Sequence, residues 1–138
     1  MSILYTAKVR LRSGRDGSVR AEDGNLDVRL ALPVALGGDG KGTNPEQLFA
    51  AGYGACFAST LATLGKAGGT PLTSVDVEAE VDILLEGGTY DLGIRLKIDA
   101  KGVDDPVLRD LVERAKLACP YSRATKNNVT ASVILARA

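Results

Sequence analysis

The feature that most constrains the fold is a long segment without charge, from Gln47 to Gly65. Its residues are apolar nearly all round when they are placed on a helix, so the helix has no polar face and is predicted to be buried. Several of its residues are small, which permits close approach by another backbone. In a chain of 138 residues, part of this burial is expected to come from a second subunit.

The start of this helix is marked by its flanking residues. Thr43 or Asn44 can cap the helix, Pro45 suits the first helical position, and Glu46 complements the positive helix end. The helix is predicted to run to about Lys66.

The residues before this helix are predicted to be β structure. Apolar and polar residues alternate over 5–11, which is typical of a half-buried strand. Turns are predicted at 14–17 and 23–24, and a third strand over 26–32. The glycine-rich stretch 37–42 does not match a phosphate-binding pattern, so we interpret it as a plain loop.

The residues after this helix alternate more clearly. Segments 75–83 and 90–98 predict an antiparallel hairpin with one wet face, and 129–135 predicts a last strand. A second helix is predicted to begin at 104–106 and to stop at Pro120, which leaves Cys119 at its end. Strands segregated from two main helices predict the α+β class, in a single domain over residues 1–138.

Charge and composition exclude several classes of function. The 17 basic residues balance the 17 acidic ones, so no broad attraction to nucleic acid or to a membrane is expected. No apolar stretch is expected to reach the roughly 18 residues of a membrane span. The N-terminal residues alternate in character and lack an apolar signal core, so a cytoplasmic protein is expected.

The chain contains two cysteines and no histidine. This excludes catalytic arrangements that need an imidazole, and two thiolates alone cannot form a structural zinc site. Thiol chemistry at Cys56 and Cys119 remains, with an arginine as the natural helper because it stays charged. The competing interpretation is that both are inert, since cysteine is among the most buried residue types.

A fifteen-residue block from Thr43 to Phe57, which contains Cys56, is followed later by Cys119-Pro120-Tyr121-Ser122. Together these motifs closely resemble the organic hydroperoxide resistance (Ohr) proteins of the Ohr/OsmC family. The likeness spans nearly the whole chain and includes the turn that contains Arg15. It implies an OsmC-like fold, with antiparallel sheets packed on two main helices, the central one buried, in an intertwined homodimer.

The resemblance also implies a function and its residues. Cys56 matches the peroxidatic cysteine and Cys119 the resolving one, while Arg15 matches the arginine set against the reactive thiol and Glu46 the carboxylate that orients it. The implied activity is reduction of alkyl or fatty-acid hydroperoxides through a Cys56–Cys119 disulfide. The implied reductant is a dihydrolipoyl group, free or on a lipoylated partner protein, and no metal, flavin, haem or other cofactor is expected.

Two alternatives remain open at this stage. One is an OsmC-like peroxidase with a broader range of peroxides. The other is a non-catalytic redox sensor or apolar-ligand binder that uses the same cleft. A thioredoxin-type oxidoreductase is disfavoured because the chain has no Cys-x-x-Cys motif.

Overall fold

The computed structural model describes residues 1–136 and divides into two compact units, Met1–Leu48 and Phe49–Ala138. The last two residues of the expected 1–138 domain lie outside the described residues. Each unit has a three-stranded sheet of its own, and the described residues form three α-helices. The predicted α+β class is therefore confirmed.

The sheet of the first unit is small and antiparallel. Its strands are β1 (Val9–Arg12), β2 (Ser18–Ala21) and β3 (Asp27–Arg29), with β2 in the centre. The first and third strands are shorter than the alternation predicted, because the ladder begins only where Val9 meets Ala21 and pairing with β3 ends at Arg29. The sheet buries Val19, which is 2% exposed.

Backbone hydrogen bonds connect the start of helix α1 (Pro45–Ala67) to the end of β3. Thr43 donates its N–H to the carbonyl of Arg29 (2.9 Å), and its own carbonyl accepts the N–H of Ala31 (2.9 Å). Asn44 then caps the helix, since its side-chain oxygen accepts the N–H of Gln47 at 2.8 Å. The predicted helix start is confirmed, and the first turn of α1 is held beside the small sheet.

Helix α1, Pro45–Ala67, buries only one stripe of its surface within the chain. The buried residues are Tyr53, Gly54, Phe57, Leu61 and Gly65. Other positions of the same helix, such as Ala51 and Ala55, are exposed although they are apolar. The single chain therefore buries less of the surface of α1 than the sequence predicted.

The prediction that no apolar stretch is long enough for a membrane span was wrong by the measure of length and composition. The 23 residues of α1 include an 18-residue window with a mean hydropathy of 1.3, of which 28% is buried inside the chain. A core helix of a soluble protein passes the same test, so this is weak evidence for a membrane segment. The buried stripe of α1 fits a core helix.

The sheet of the second unit is built on a long hairpin. Strands β4 (Ser74–Glu86) and β5 (Thr89–Lys101) pair antiparallel along their whole length, and β6 (Ala131–Leu135) adds to β5 in parallel. Gly87 and Gly88 make the two-residue turn with positive φ angles of 56° and 79°, which glycine adopts without strain. The predicted hairpin and last strand are confirmed.

Two further helices complete the second unit. Helix α2, Asp105–Ala118, buries Leu108, Leu111, Val112 and Ala115 on the predicted stripe. It ends before Cys119 as predicted, but Pro120 also begins a helix, α3 (Pro120–Thr125), that the sequence did not predict. Proline can both stop one helix and occupy the first turn of the next, because the missing N–H has no helical partner there.

Phe57 is a direct test of the core of the second unit. It is fully buried in the cluster that joins α1, α2 and β5. We expect Phe57→Ala to lower the free energy of unfolding by about 3–5 kcal/mol, because the lost apolar contacts leave a cavity. The matched control is Leu117→Ala, at an α2 position that is 70% exposed. Equal losses in denaturant titrations of the two variants would contradict this account of the core.

Candidate active site

A tight turn between β1 and β2 presents Arg15. The turn includes a short 3₁₀ segment, Gly14–Asp16, entered through Ser13 at φ 60°. Gly17 closes it, and a Cβ there would lie 1.8 Å from the carbonyl oxygen of Arg12, so only glycine fits. The carbonyl of Gly17 accepts the N–H of Leu30 at 2.7 Å, which fixes the turn on the sheet.

Arg15 and Glu46 form a bidentate ion pair within the first unit. The guanidinium donates from Nη1 to Oε2 at 3.0 Å and from Nη2 to Oε1 at 2.7 Å. The Arg15 side chain is 40% exposed and the Glu46 side chain 14%. The hydrogen bond from Arg15 lowers the pKa of Glu46, against an opposing effect of burial, and the same bond raises the pKa of Arg15. Both groups are charged at neutral pH, and the fork geometry fixes the guanidinium plane.

Cys56 and Cys119 lie side by side within the second unit. Their Sγ atoms are 3.6 Å apart, and both are free thiols. Cys56 is half-buried on α1, while Cys119 is completely buried between α2 and α3, where its N–H bonds the carbonyl of Ala115 at 2.8 Å. A disulfide needs an S–S length of about 2.05 Å, so an approach of roughly 1.5 Å would join them. The arrangement is that of a dithiol able to cycle with a disulfide.

The surroundings of Cys56 favour its neutral form. Burial raises the pKa of the Cys56 thiol, a hydrogen bond from the backbone of Tyr121 opposes this, and the neighbouring Cys119 thiol raises the pKa further. A thiolate is the reactive form of cysteine. A nearby cation would favour the thiolate of Cys56 against these effects.

Three aromatic rings on the segments that carry the thiols pack against one another. Tyr53 stands three residues before Cys56 on α1, and its ring centroid lies 5.6 Å from that of Tyr121. Phe49 packs edge-on against Tyr121 at 5.9 Å. The phenol of Tyr53 is 2.7 Å from the hydroxyl of Ser122. Cys119 belongs to the hydrophobic core and Cys56 packs against it, so the surroundings of the thiols are largely apolar.

Comparisons with known proteins identify the family of this chain. Residues 38–133 match the model of the OsmC family, described as OsmC-like protein. The chain is also 40% identical over 128 residues to the organic hydroperoxide resistance protein OhrB of Bacillus subtilis, a match that covers 91% of this chain and 93% of that protein. The chain belongs to the Ohr/OsmC family.

Other similar proteins point to the Ohr branch of the family. An organic hydroperoxide resistance protein of Xanthomonas axonopodis pv. citri is 39% identical, with 97% of this chain and 96% of that protein covered. A crystal structure of an organic hydroperoxide resistance protein from Legionella pneumophila is similar to this fold with a TM-score of 0.92 and 37% identity. The structural match covers 97% of this chain and 98% of the Legionella chain. The resemblance identified from the sequence motifs is confirmed.

In the structure, the four site residues predicted from the sequence form two separate pairs. Arg15 contacts Glu46 in the first unit, and Cys56 contacts Cys119 in the second. Their catalytic roles remain predictions. Within residues 1–136, no group of three or more His, Cys, Asp or Glu side chains is placed to hold a metal ion.

The hydrogen bond between Tyr53 and Ser122 was not predicted from the sequence. Tyr53 was interpreted only as one apolar residue of a buried helix, and Ser122 only as part of a motif. Their spacing carried a usable signal: Tyr53 precedes Cys56 by three residues, and Ser122 follows Cys119 by three, which on a helix is one turn.

The lowered pKa of Glu46 predicts a pH-dependent contribution to stability. A carboxylate whose folded pKa is depressed stabilises the fold above its ordinary pKa of 4.5, and this stability is lost as the pH falls through the folded value. We expect Glu46→Gln to lower the free energy of unfolding at pH 7 by about 1 kcal/mol or less, because solvent screens the exposed Arg15 side. The difference in free energy of unfolding between this variant and the parent protein should shrink when unfolding is measured below pH 4.

The control for this titration is Glu22→Gln. Glu22 lies 3.8 Å from Lys8, and its side chain is 72% exposed. Exposed pairs of this kind contribute little, so the variant should match the parent protein across the series. A Glu46→Gln deficit that stays constant from pH 7 to acid would contradict the assignment to its carboxylate.

Proposed function

We propose that this protein is a thiol-dependent peroxidase that reduces organic hydroperoxides to alcohols. The observation that carries the proposal is the 3.6 Å separation of Cys56 Sγ and Cys119 Sγ. Two free thiols at this distance can take up the two oxidising equivalents of one peroxide. The names of the relatives support the choice of organic hydroperoxides as the substrate class.

The proposed cycle has three balanced steps. The Cys56 thiolate attacks the terminal oxygen of ROOH, so the O–O bond breaks, Cys56 becomes a sulfenic acid and RO⁻ leaves to take up a proton as the alcohol. The Cys119 thiol then forms the disulfide with Cys56 and water is released. A dithiol finally reduces the disulfide by thiol exchange and is itself oxidised to a disulfide.

Cys56 and Cys119 are proposed to have unequal roles. Cys56 is the more accessible of the two, which suits the sulfur that meets a peroxide. Cys119 is completely buried, which suits a sulfur that reacts only with a neighbour.

Arg15 is proposed as the cation that activates Cys56. The pKa of Cys56 is raised by its surroundings, and a nearby cation would favour the thiolate. A guanidinium can stabilise the thiolate and can donate to a peroxide oxygen as the O–O bond breaks. Glu46 is proposed to orient Arg15, since it holds the guanidinium through two parallel hydrogen bonds.

The apolar surroundings of the thiols favour a fatty or alkyl hydroperoxide over hydrogen peroxide. The rings of Phe49 and Tyr121, packed edge-on at 5.9 Å, form an aromatic surface on the two segments that carry Cys56 and Cys119. Tyr53 is 1% exposed and does not contribute to this surface. Such surfaces bind hydrocarbon chains, whereas hydrogen peroxide gains nothing from them.

The reductant is proposed to be a dihydrolipoyl group, free or carried by a lipoylated protein. It is itself a dithiol, so one molecule supplies both electrons of the last step and closes to an internal disulfide. A reducing compartment suits free thiols at this distance, so we propose that the protein works in the cytoplasm.

The working form is proposed to be an intertwined homodimer. Helix α1 leaves a groove of about 370 Å³ against β4, lined by small and apolar residues that include Ala51, Ala55 and Val77. A second copy would cover this surface and complete the burial of an uncharged helix. Residues 1–138 are proposed to work as a single domain, since the match to the Xanthomonas axonopodis protein covers 97% of this chain and 96% of that protein.

A peroxide-consumption assay tests the proposed function. Cumene hydroperoxide and hydrogen peroxide are each offered with dihydrolipoamide, dithiothreitol or glutathione in excess. We expect the fastest turnover with cumene hydroperoxide and dihydrolipoamide. Similar rates on both peroxides would favour the broader OsmC-like peroxidase. If none of the dithiols supports turnover, the remaining alternative is a non-catalytic redox sensor or apolar-ligand binder.

Serine variants test the unequal roles of the two thiols. Cys56→Ser should abolish turnover, while Cys119→Ser should react once and stop, because its sulfenic acid has no resolving partner. Mass spectrometry after one equivalent of cumene hydroperoxide should show oxidation of Cys56 in Cys119→Ser. Oxidation of Cys119 in the Cys56→Ser variant at the parent rate would reverse the assignment.

Arg15 variants in the Cys119→Ser background test the proposed cation, because Cys56 is then the only thiol. Arg15→Ala should raise the pKa of Cys56, and once that pKa lies above the pH of the assay the thiolate fraction should fall by roughly tenfold for each further unit of pKa. Thiolate absorbance and single-turnover rates measure the two effects. Arg15→Lys should restore only part of both, because lysine lacks the bidentate fork.

The matched control is Arg20→Ala, which removes a charge from the same small sheet. Arg20 pairs with exposed Asp27 at 3.0 Å. It should leave both the Cys56 pKa and the rate unchanged. If Arg15→Ala behaves like this control, Arg15 is an ordinary turn residue.

A further inference from the structure

A second contact joins the two segments that carry the sulfurs. Tyr53 Oη and Ser122 Oγ are 2.7 Å apart, and Tyr53 is only 1% exposed. Tyr53 lies one helical turn before Cys56, and Ser122 lies three residues after Cys119. This hydrogen bond therefore connects α1 to α3 beside the place where the thiols meet.

The first turn of α3 docks on α1 at two successive residues. Tyr121 lies over Gly52, where a Cβ would come within 2.5 Å of Tyr121 Oη. Ser122 then bonds Tyr53. At the other end of α3, the hydroxyl of Thr125 donates to the carbonyl of Tyr121 at 2.9 Å, so the short helix is held together as one turn.

Cys119 is the residue that connects α2 to the first turn of α3. On the α2 side its N–H bonds the carbonyl of Ala115. On the α3 side Pro120 follows at once, so the position of Cys119 depends on where the first turn of α3 sits. Breaking the hydrogen bond of a buried phenol is unfavourable, because its hydroxyl would be left without a hydrogen-bond partner. The Tyr53–Ser122 bond is thus a side-chain contact that holds the α3 side, in addition to the backbone hydrogen bond from Tyr121 to Cys56.

We propose that the Tyr53–Ser122 hydrogen bond positions Cys119 for the resolving step of the cycle. In that step the Cys119 sulfur attacks the sulfenic acid of Cys56, the S–O bond breaks, and the hydroxyl leaves as water with the proton of the Cys119 thiol. The contact sets how fast the disulfide closes and leaves the earlier attack on peroxide unchanged. This inference rests on the proposed function, and Tyr53 and Ser122 act as positioning residues.

The test follows the two oxidation steps separately. Reduced parent protein, Tyr53→Phe, Ser122→Ala and the double variant each receive one equivalent of cumene hydroperoxide. Samples are quenched over time with dimedone, which labels sulfenic acid, and are analysed by mass spectrometry. We expect Cys56 to be oxidised at the parent rate, but disulfide closure to be slower by roughly tenfold in each single variant. The longer-lived sulfenic acid should also be over-oxidised more readily by excess peroxide.

The double variant separates positioning from general packing. If the two hydroxyls act through their shared bond, closure in the double variant should be no slower than in either single variant. Ser122→Thr keeps a hydroxyl and should restore most of the closure rate. The matched controls are Tyr90→Phe and Ser132→Ala, which make the same chemical changes at exposed positions of β5 and β6 and should match the parent protein.

The outcomes distinguish this inference from the proposed function. If the parent protein itself does not oxidise at Cys56, the proposed function fails. If the parent closes its disulfide and both single variants close it at the parent rate, only the positioning role is overturned. Equal slowing of both steps, or failure of both single variants to fold, would also overturn it, since the contact would then serve stability alone.

Discussion

The structure depends on accommodating a helix that has no charge from Gln47 to Gly65. Such a helix gains stability only where its surface is removed from water. In the second unit, α1 packs against β4 at the buried Gly54, where a Cβ would lie in ordinary contact, 3.5 Å from the Ala79 side chain. Phe57 and Leu61 fill the core shared with α2. Burial of the same helix places Cys56 beside Cys119 in apolar surroundings, and this raises the pKa of the thiol that we propose to be reactive.

Local patterns were sufficient to predict most of the fold. The capped start of α1, the β4–β5 hairpin and the end of α2 before Cys119 are each set by residues close in sequence, and each is confirmed. The family was recognisable because the motif around Cys56 and the Cys119-Pro120-Tyr121-Ser122 turn are both specific. The pairing of Arg15 with Glu46 came from that resemblance, since 31 residues separate them and no local pattern joins them.

The features missed from sequence depend on contacts between distant segments. Helix α3 is only six residues long, and it is held by Tyr121 on Gly52 and by Ser122 on Tyr53 rather than by a periodic pattern. The exposure of Ala51 and Ala55 could not be foreseen either, because an apolar helix does not show which of its faces the same chain will cover. The length of α1 was predicted, but its 18-residue apolar window was not, because glycine and hydroxyl residues interrupt the apolar run without adding charge.

The most direct test of the account is a thiol count after a single oxidation. Fully reduced protein receives one equivalent of cumene hydroperoxide without any reductant, and its free thiols and cross-linked peptides are then measured under non-reducing conditions. The account predicts that two thiols are lost per chain, that one equivalent of the alcohol is formed, and that Cys56 and Cys119 of the same chain are joined. Unchanged thiols, or a disulfide that mainly links two chains, would contradict it.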